Sequence, residues 1–469
     1  MKTEFRSHLK NLLMLSSSNL LLKVYGEIYR IFLIRRFGAE PFGLVGMVFP
    51  FYRLLVILIT MGLPAALVRL VAIEKARNNP AWILEAKKKA SFFVSIPALI
   101  IAFFLFFFAK PLGALLFNDP RTGILLKCLA LALNLNCLCL LYRGYFHGLN
   151  RIAPLVWSEA AETVGESIFV LFTLYTTAFS GVEKSAQTLA QGFIVGELTC
   201  LLLLCLYDYL FIRPSMKRPP QPVVPGRMLS CLLNSSFPLM AQQLILSLSR
   251  IADGILLPQL LKKGGLSPSL AATKLGEYWG MATPLLFFPL FLFSPLSTII
   301  LPATAQASIR QNLSFYLRKI RLLVGAALVY GLVAGGLLLR LGPAISFLFY
   351  QTTAAAQYLP FLLPALPFMV INQLLAPVAE GLGKQGFLLR ATLVMLLIKT
   401  GVAAAFVPLP NFGLAGAAWS VSLSQALYCC LLLRETIFSP NITAKWFFLF
   451  HPRYLTSRGV TDQHSSMLR

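Results

Sequence analysis

Apolar runs of about 20 residues recur along the whole chain, and they limit its fold more than any other feature. A helix of that length spans the hydrocarbon core of a membrane. Helices are expected rather than loops or open sheets, because each backbone polar group in lipid needs a partner within the protein. The runs therefore predict an all-α polytopic membrane protein.

The composition agrees with this class. Of the residues, 57% are hydrophobic and 12% are charged, whereas about a quarter of an ordinary soluble domain is charged. A net charge of +24 would suggest nucleic acid as a partner of a soluble protein. In membrane proteins, however, basic residues concentrate in the cytoplasmic loops. We therefore expect contact with membrane lipids and not with nucleic acid.

The hydropathy pattern predicts twelve transmembrane helices. Their bounds are 11–33, 44–68, 91–109, 122–142, 153–177, 188–212, 229–259, 275–302, 322–339, 355–382, 386–408 and 412–433. A short interfacial helix is expected at 341–354, between the ninth and tenth spans. The polar tail contains an apolar stretch at 446–450, which would suit the membrane surface.

The distribution of basic residues predicts the orientation of these spans. With the N-terminus inside, the inner segments carry 26 lysines and arginines and the outer loops carry 10. Such an excess marks the cytoplasmic side. We predict a multi-pass protein of the bacterial cytoplasmic membrane with both termini in the cytoplasm.

Two six-helix halves are indicated by a weak internal repeat. Gly46-Met47-x-x-Pro50 corresponds to Gly280-Met281-x-x-Pro284, and Gly148-Leu149 corresponds to Gly381-Leu382 at nearly the same offset. Six spans per half give both halves one orientation, so the repeat is parallel. The predicted units are a first bundle (1–212), a Pro-rich cytoplasmic linker (213–228), a second bundle (229–436) and a cytoplasmic tail (437–469).

Charged residues in the first span share one helical face. Asn19, Lys23, Glu27 and Arg30 follow one another at steps of four, four and three. A charge within the membrane is costly, so it usually faces a cavity or a partner. One interpretation is a self-neutralising ion cluster that holds helices together. The other is the wall of an anion-binding cavity.

The second and seventh spans add further polar residues. Arg53 lies in the second span, and Gln243, Ser247, Arg250 and Asp253 lie on one face of the seventh. If the halves pack around a central cavity, Arg30, Arg53 and Arg250 converge on it. Arginine suits this role because its planar fork binds phosphate oxygens in a bidentate manner.

Three carboxylates share a face of the fifth span, namely Glu159, Glu162 and Glu166, and the sixth span adds Glu197. Partnering with lysine and arginine on neighbouring helices is one interpretation. Coupling of transport to an H+ or Na+ gradient, or to the membrane potential, is the other.

Motifs of enzymes and of bound cofactors are not found. The sequence has no phosphate-binding glycine loop, metal-ligand histidine pair or nucleophile elbow. The eight cysteines lie in apolar stretches and are best interpreted as small buried side chains. We predict a protein that is neither an enzyme nor a metalloprotein, that needs no cofactor, and that acts as a monomer.

Several stretches resemble the polysaccharide-flippase branch of the multidrug/oligosaccharidyl-lipid/polysaccharide (MOP) exporter superfamily, the branch of stage V sporulation protein B. They are residues 21–72, LYRGYFHGLNRIAP (141–154), LSRIADGILLPQLL (248–261), STIILPATAQA (297–307) and AEGLGKQG (379–386). The resemblance implies two six-helix bundles around a V-shaped cavity, alternating access, and a lipid-linked oligosaccharide as substrate.

The lipid II flippases are more distant members of this superfamily. The resemblance implies that Lys23, Arg30 and Arg53 correspond to their basic residues that meet the diphosphate. This chain departs from them in the eighth span, where Trp279 stands near the position of a basic residue. We expect a flippase for an undecaprenyl-diphosphate-linked glycan, in peptidoglycan or spore-cortex supply. A cation-coupled multidrug exporter on the same fold is the alternative.

Overall fold

A computed structural model shows a helical protein whose described segments contain no β-strand. The structure describes residues 21–77, 79–176, 181–212, 244, 247–248, 250–293, 296, 300–301, 303–304, 313–409 and 412–438. Asn19, Gln243, the linker at 213–228 and the apolar stretch at 446–450 lie outside these ranges.

The first half folds into helices that follow one another with short connections. In chain order they are α1 (21–37), α2 (Glu40–Thr60), α3 (Leu63–Ala76), α4 (Pro80–Phe107), α5 (Ala109–Phe117), α6 (Thr122–Gly148), α7 (Ala153–Thr176) and α8 (Val182–Tyr207). A π-helical turn, Asp208–Ile212, continues α8.

The second half is also helical, with more interruptions. It contains α9 (250–263), α10 (Pro268–Leu275), a π-helical turn (Gly276–Ala282), α11 (Thr283–Phe287), a 3-10 turn (Pro289–Leu292), α12 (Leu313–Tyr350), a 3-10 turn (Ala354–Tyr358), α13 (Leu359–Leu362), α14 (Ala365–Gly381), α15 (Gln385–Phe406), α16 (Leu414–Leu433) and a π-helical turn (Arg434–Phe438).

Among the described residues, seven helices are long and apolar enough to cross a membrane. There are eight if Ala354–Leu362 and Ala365–Gly381, which meet at 61°, form one bent span. Helix α7 has sufficient length as well but carries three glutamates. The chain is a multi-pass membrane protein.

Two of the predicted helices differ from those in the structure. The second span was expected as one helix over 44–68, but Met61 and Gly62 adopt left-handed backbone angles (φ 48° and 74°) and separate α2 from α3. Pro64 then occupies the first turn of α3, where its missing N–H costs nothing. The short interfacial helix expected at 341–354 is also wrong, because α12 continues through Pro343 and ends only at Tyr350.

The eighth and tenth spans are broken where continuous helices over 275–302 and 355–382 were expected. In the eighth, a π-helical turn precedes Pro284, and Pro289 begins a 3-10 turn. In the tenth, Pro364 lies at the bend between α13 and α14. Proline removes a backbone donor and clashes with the preceding helical turn. Helix α5 was not predicted at all.

The predicted parallel repeat is confirmed by equivalent contacts in both halves. A Cβ added at Gly148 would lie 2.8 Å from the carbonyl oxygen of Val68, and one at Gly381 would lie 2.8 Å from that of Leu301. Gly148 and Gly381 differ by 233 in residue number, and so do their contacts Val68 and Leu301. The two glycines therefore allow the same close helix crossing in each half.

Candidate functional site

The two halves meet along α2 of the first half and the α10 segment of the second. A Cβ at Gly43 would lie 1.8 Å from the Ala272 carbonyl oxygen, and one at Gly276 would lie 1.8 Å from that of Ala39. The offset of 233 exchanges these two contacts, so the halves meet about a pseudo-twofold axis. Only glycine permits backbones to approach this closely.

Further along α2, the same interface is filled by larger groups and then crossed by α9. A Cβ at Gly46 would lie 2.6 Å from the Trp279 ring. The next residues of α2 contact α9. A Cβ at Gly254 of α9 would lie 2.9 Å from the Met47 carbonyl oxygen and 3.2 Å from the Pro50 ring. The close contacts at these glycines thus follow the first half from residue 39, just before α2, to residue 50 within it.

Arg53 and Arg250 lie one turn beyond this last crossing, on α2 and α9 respectively. Both side chains are exposed. Each lies next to the crossing of Gly254 with Met47 and Pro50, so both belong to the same part of the interface. Among the described residues, no carboxylate lies within 4.0 Å of either guanidinium. The apex of the interface therefore holds two like charges, one from each half.

The other predicted basic residues lie among carboxylates. Arg30 forms an ion pair with Glu27 at 3.4 Å and is also attracted to Glu166. Lys23 lies over the ring of Phe291 from the second half, 5.3 Å from its centroid, and is attracted to Glu159. The first-span stripe thus faces the acidic face of α7.

The predicted acidic residues of the fifth and sixth spans have partners on α6. Glu162 accepts a hydrogen bond from Arg143 at 2.5 Å. Glu197 accepts one from Asn136. The charges of Glu162 and Glu197 both act on Glu166. A carboxylate cluster with one embedded arginine therefore occupies the interior of the first bundle.

Asp253 of α9 does not stand alone in the cavity. It pairs with Lys399 of α15 at 2.5 Å, both side chains being largely buried. Ser247, on the same face of α9, is buried and donates to the Leu244 carbonyl oxygen. Asp253 therefore acts as a contact between the seventh and eleventh spans.

A family profile described as "Polysaccharide biosynthesis protein" matches residues 8–308. The chain belongs to this family. Among relatives, stage V sporulation protein B of Bacillus subtilis (strain 168) is 25% identical over 430 residues, which cover 91% of this chain and 83% of the relative. The uncharacterized membrane protein YabM of the same organism is 23% identical over 425 residues, covering 88% and 77%.

Solved structures show the same fold at low sequence identity. An inward-facing multidrug resistance MATE family transporter of the MOP superfamily matches with a TM-score of 0.69, at 15% identity, over 87% of this chain and 92% of that one. The lipid II flippase MurJ in an inward closed conformation matches with a TM-score of 0.65, at 15% identity, over 90% and 87%. The family member described here therefore has the MOP fold, as predicted.

Sequence reasoning did not single out Arg143 or Lys399, the partners of Glu162 and Asp253. Arg143 was assigned to a loop because the apolar run stops at residue 142, but α6 continues to Gly148. The missed signal was that no proline occurs between those positions. The partner of Lys399 lies 146 residues away, a distance over which local patterns carry no information.

Proposed function

We propose that this family member is a transporter that flips a glycan linked to a lipid diphosphate across the cytoplasmic membrane. The observation that carries this proposal is the pair Arg53 and Arg250 at the apex of the interface between the halves. A diphosphate offers several negative oxygens, and two guanidinium groups offer planar forks that match them. A dianion bound between them would turn mutual repulsion into attraction.

The chemistry of the substrate explains why cations belong there. An isolated charge resists transfer from water into an apolar medium, so the headgroup cannot cross hydrocarbon unaided. Arginines at the apex would replace the water lost by the diphosphate. The lipid tail would stay in the bilayer beside the bundles, so that only the headgroup enters the protein.

Alternating access is supported by the contacts between halves. They are concentrated on the side of the 38–43 and 264–276 segments, which the lysine and arginine distribution assigns to the outside. The inward-facing MATE structure matches with a TM-score of 0.69 and an outward-facing one with 0.59. Both observations support an inward-facing state with the apex open to the cytoplasm.

Coupling to an ion gradient belongs to the first bundle in this proposal. Arg143 donates to Glu162, Asn136 donates to Glu197, and Glu166 lies close to both of these carboxylates and to Arg30. Glu159 lies near Glu162 and Lys23. Carboxylates that act on one another in a medium of low polarity favour binding of a proton or a small cation. The headgroup and the coupling ion would then occupy different places.

The alternative of a drug exporter for cationic compounds is disfavoured by the apex. A cation at the apex would meet Arg53 and Arg250, and like charges repel. The carboxylates of the first bundle accept hydrogen bonds from Arg143 and Asn136, and the proposal assigns them to a coupling proton or small cation instead of the transported compound.

Transport into proteoliposomes tests the proposal. The probe is a fluorescent oligosaccharide linked to undecaprenyl diphosphate, with the matched monophosphate-linked lipid and a cationic dye as comparisons. We expect protein-dependent movement of the diphosphate lipid that is lost in Arg53→Ala and retained in Arg340→Ala, an exposed arginine of α12. Movement of the dye alone would establish the drug exporter instead.

A further inference from the structure

The closed side of the interface carries a pair of cross-half hydrogen bonds whose acceptors are related by the repeat. Helix α5 of the first half ends at Phe117, and helix α12 of the second half ends at Tyr350. Each is followed by a left-handed residue, Asn118 (φ 59°) and Gln351 (φ 58°), again 233 apart. The two helices thus end in the same way on the same side.

Each of these helix ends receives a side chain from the opposite half. Arg35 of α1 donates to the Phe349 carbonyl oxygen at 2.6 Å and also to that of Leu348. Gln259 of α9 donates to the Leu116 carbonyl oxygen at 3.0 Å. Leu116 and Phe349 are also 233 apart, so the two halves bind each other reciprocally.

Lys262 strengthens one member of this pair by donating to the Asn118 carbonyl oxygen at 2.5 Å. The last carbonyl groups of a helix lack partners within it and carry partial negative charge. A cation placed there is favourable for both reasons. Arg35 of α1 therefore joins the halves by donating to the end of α12, and Lys262 does so by donating to the residue that follows α5. In both cases the acceptor is a backbone carbonyl at the end of a helix.

We propose that Arg35, Gln259 and Lys262 form a reciprocal capping latch that holds this side closed and must open in each transport cycle. The proposal rests on the proposed function, since only a protein with alternating access needs such a latch. The glycine contacts of Gly43 and Gly276 lie on the same side and fix how closely the halves approach. The hydrogen bonds of the latch hold the two halves together, and the glycines allow their backbones to approach closely enough for these bonds to form.

Distances between spin labels test the latch without any substrate. Labels at Leu115 and Leu270, which are exposed and lie in opposite halves on the closed side, are introduced into a cysteine-free background in lipid nanodiscs. We expect one short-distance population in the unmutated background. Arg35→Ala combined with Gln259→Ala should raise the ratio of open to closed molecules at least about tenfold, because the charge-assisted hydrogen bonds of Arg35 and the neutral one of Gln259 are lost.

Matched variants separate the latch from general effects. Arg36→Ala removes the same charge from the neighbouring, exposed residue and should leave the distances unchanged. Gln259→Glu keeps the side-chain size, replaces a donor with an acceptor and should open the latch even where the double variant folds poorly. Gly43→Ala should also favour the open state, whereas Gly26→Ala, which meets nothing within 4 Å, should not.

The outcomes distinguish the latch from the transport proposal. Distances in Arg35→Ala/Gln259→Ala and in Gln259→Glu that match those of the background would overturn the latch, whatever the protein transports. Opened distances in a protein that moves no diphosphate lipid would leave the latch intact and refute the flippase.

Discussion

The ends of the sixth and twelfth spans have similar backbones, and each carries a lysine–carboxylate ion pair, but the carboxylate is more deeply buried in the first half. Both finish in a π-helical turn, Asp208–Ile212 in the first half and Arg434–Phe438 in the second. In the first, Asp208 pairs with Lys87 of α4 at 2.5 Å, and the two side chains are 1% and 7% exposed. In the second, Glu435 pairs with Lys384 at 3.0 Å, and its side chain is 32% exposed. Arg321 of α12 also donates to the Ile437 carbonyl oxygen of this turn, at 3.0 Å.

A second difference between the halves lies in the bundle interiors. Asn136 of α6 donates to the carboxylate of Glu197 on α8, whereas Asn372 of α14 donates to the amide oxygen of Gln425 on α16 at 2.9 Å. In the first half, the asparagine of the fourth span thus binds a glutamate of the sixth span. In the second half, the asparagine of the tenth span binds a glutamine of the twelfth span, which is the uncharged amide counterpart of glutamate. The repeat preserves the scaffold, while the first half carries more of the charge.

The largest effect should come from removing a buried charge partner. Lys87→Met leaves the buried carboxylate of Asp208 without its lysine and should destabilise the protein by about 3–5 kcal/mol. Arg321→Met removes a hydrogen bond from an exposed side chain and should cost about 0.5–1.5 kcal/mol. Thermal unfolding of both variants in one detergent compares them. Equal losses would mean that the two turns are equivalent despite their chemistry.

A smaller effect, equal in both halves, is expected where the scaffold is conserved. Gly148→Ala and Gly381→Ala each place a methyl group 2.8 Å from a backbone oxygen and should each cost about 1–3 kcal/mol. Gly401→Ala, a helical glycine with nothing within 4 Å, should not destabilise the protein. The measurement is again the unfolding temperature. A loss at only one of the two crossing glycines would contradict the symmetric scaffold.

The smallest effect on stability should come from making the first half resemble the second. Glu197→Gln keeps an acceptor for Asn136 and should change the stability by less than about 1 kcal/mol. Transport should nevertheless lose its dependence on the ion gradient if the carboxylate cluster couples it. Liposome assays with and without an imposed gradient decide this point. Unchanged gradient dependence in Glu197→Gln, and likewise in Glu166→Gln, would move coupling away from this cluster.

Much of the fold could be predicted because lipid imposes a simple rule on sequence. Apolar length marked most spans, and the glycine pairs at 148 and 381 disclosed the repeat. Breaks were harder, since Gly62 and Pro364 lie within apolar runs and change backbone direction without changing hydropathy. Helical spacing correctly placed Glu27 beside Arg30.

The candidate site was only partly accessible to sequence reasoning. Arg53 and Arg250 could be singled out because a charge in an apolar run is conspicuous. The difference between them and Lys23 or Arg30 could not be foreseen, because it depends on which carboxylates face each cation across the bundle. These contacts depend on the tertiary structure. In the structure, Lys23 and Arg30 of the first-span stripe lie beside the carboxylate cluster and not at the apex.

Lipid binding measured by native mass spectrometry tests the central claim most directly. The purified protein is titrated with undecaprenyl diphosphate and with undecaprenyl monophosphate. We predict that Arg53→Ala and Arg250→Ala each weaken diphosphate binding by about 1.5–3 kcal/mol, roughly 10- to 150-fold, with a smaller loss for the monophosphate and none in Arg340→Ala. Unchanged preference for the diphosphate in both apex variants would contradict the account.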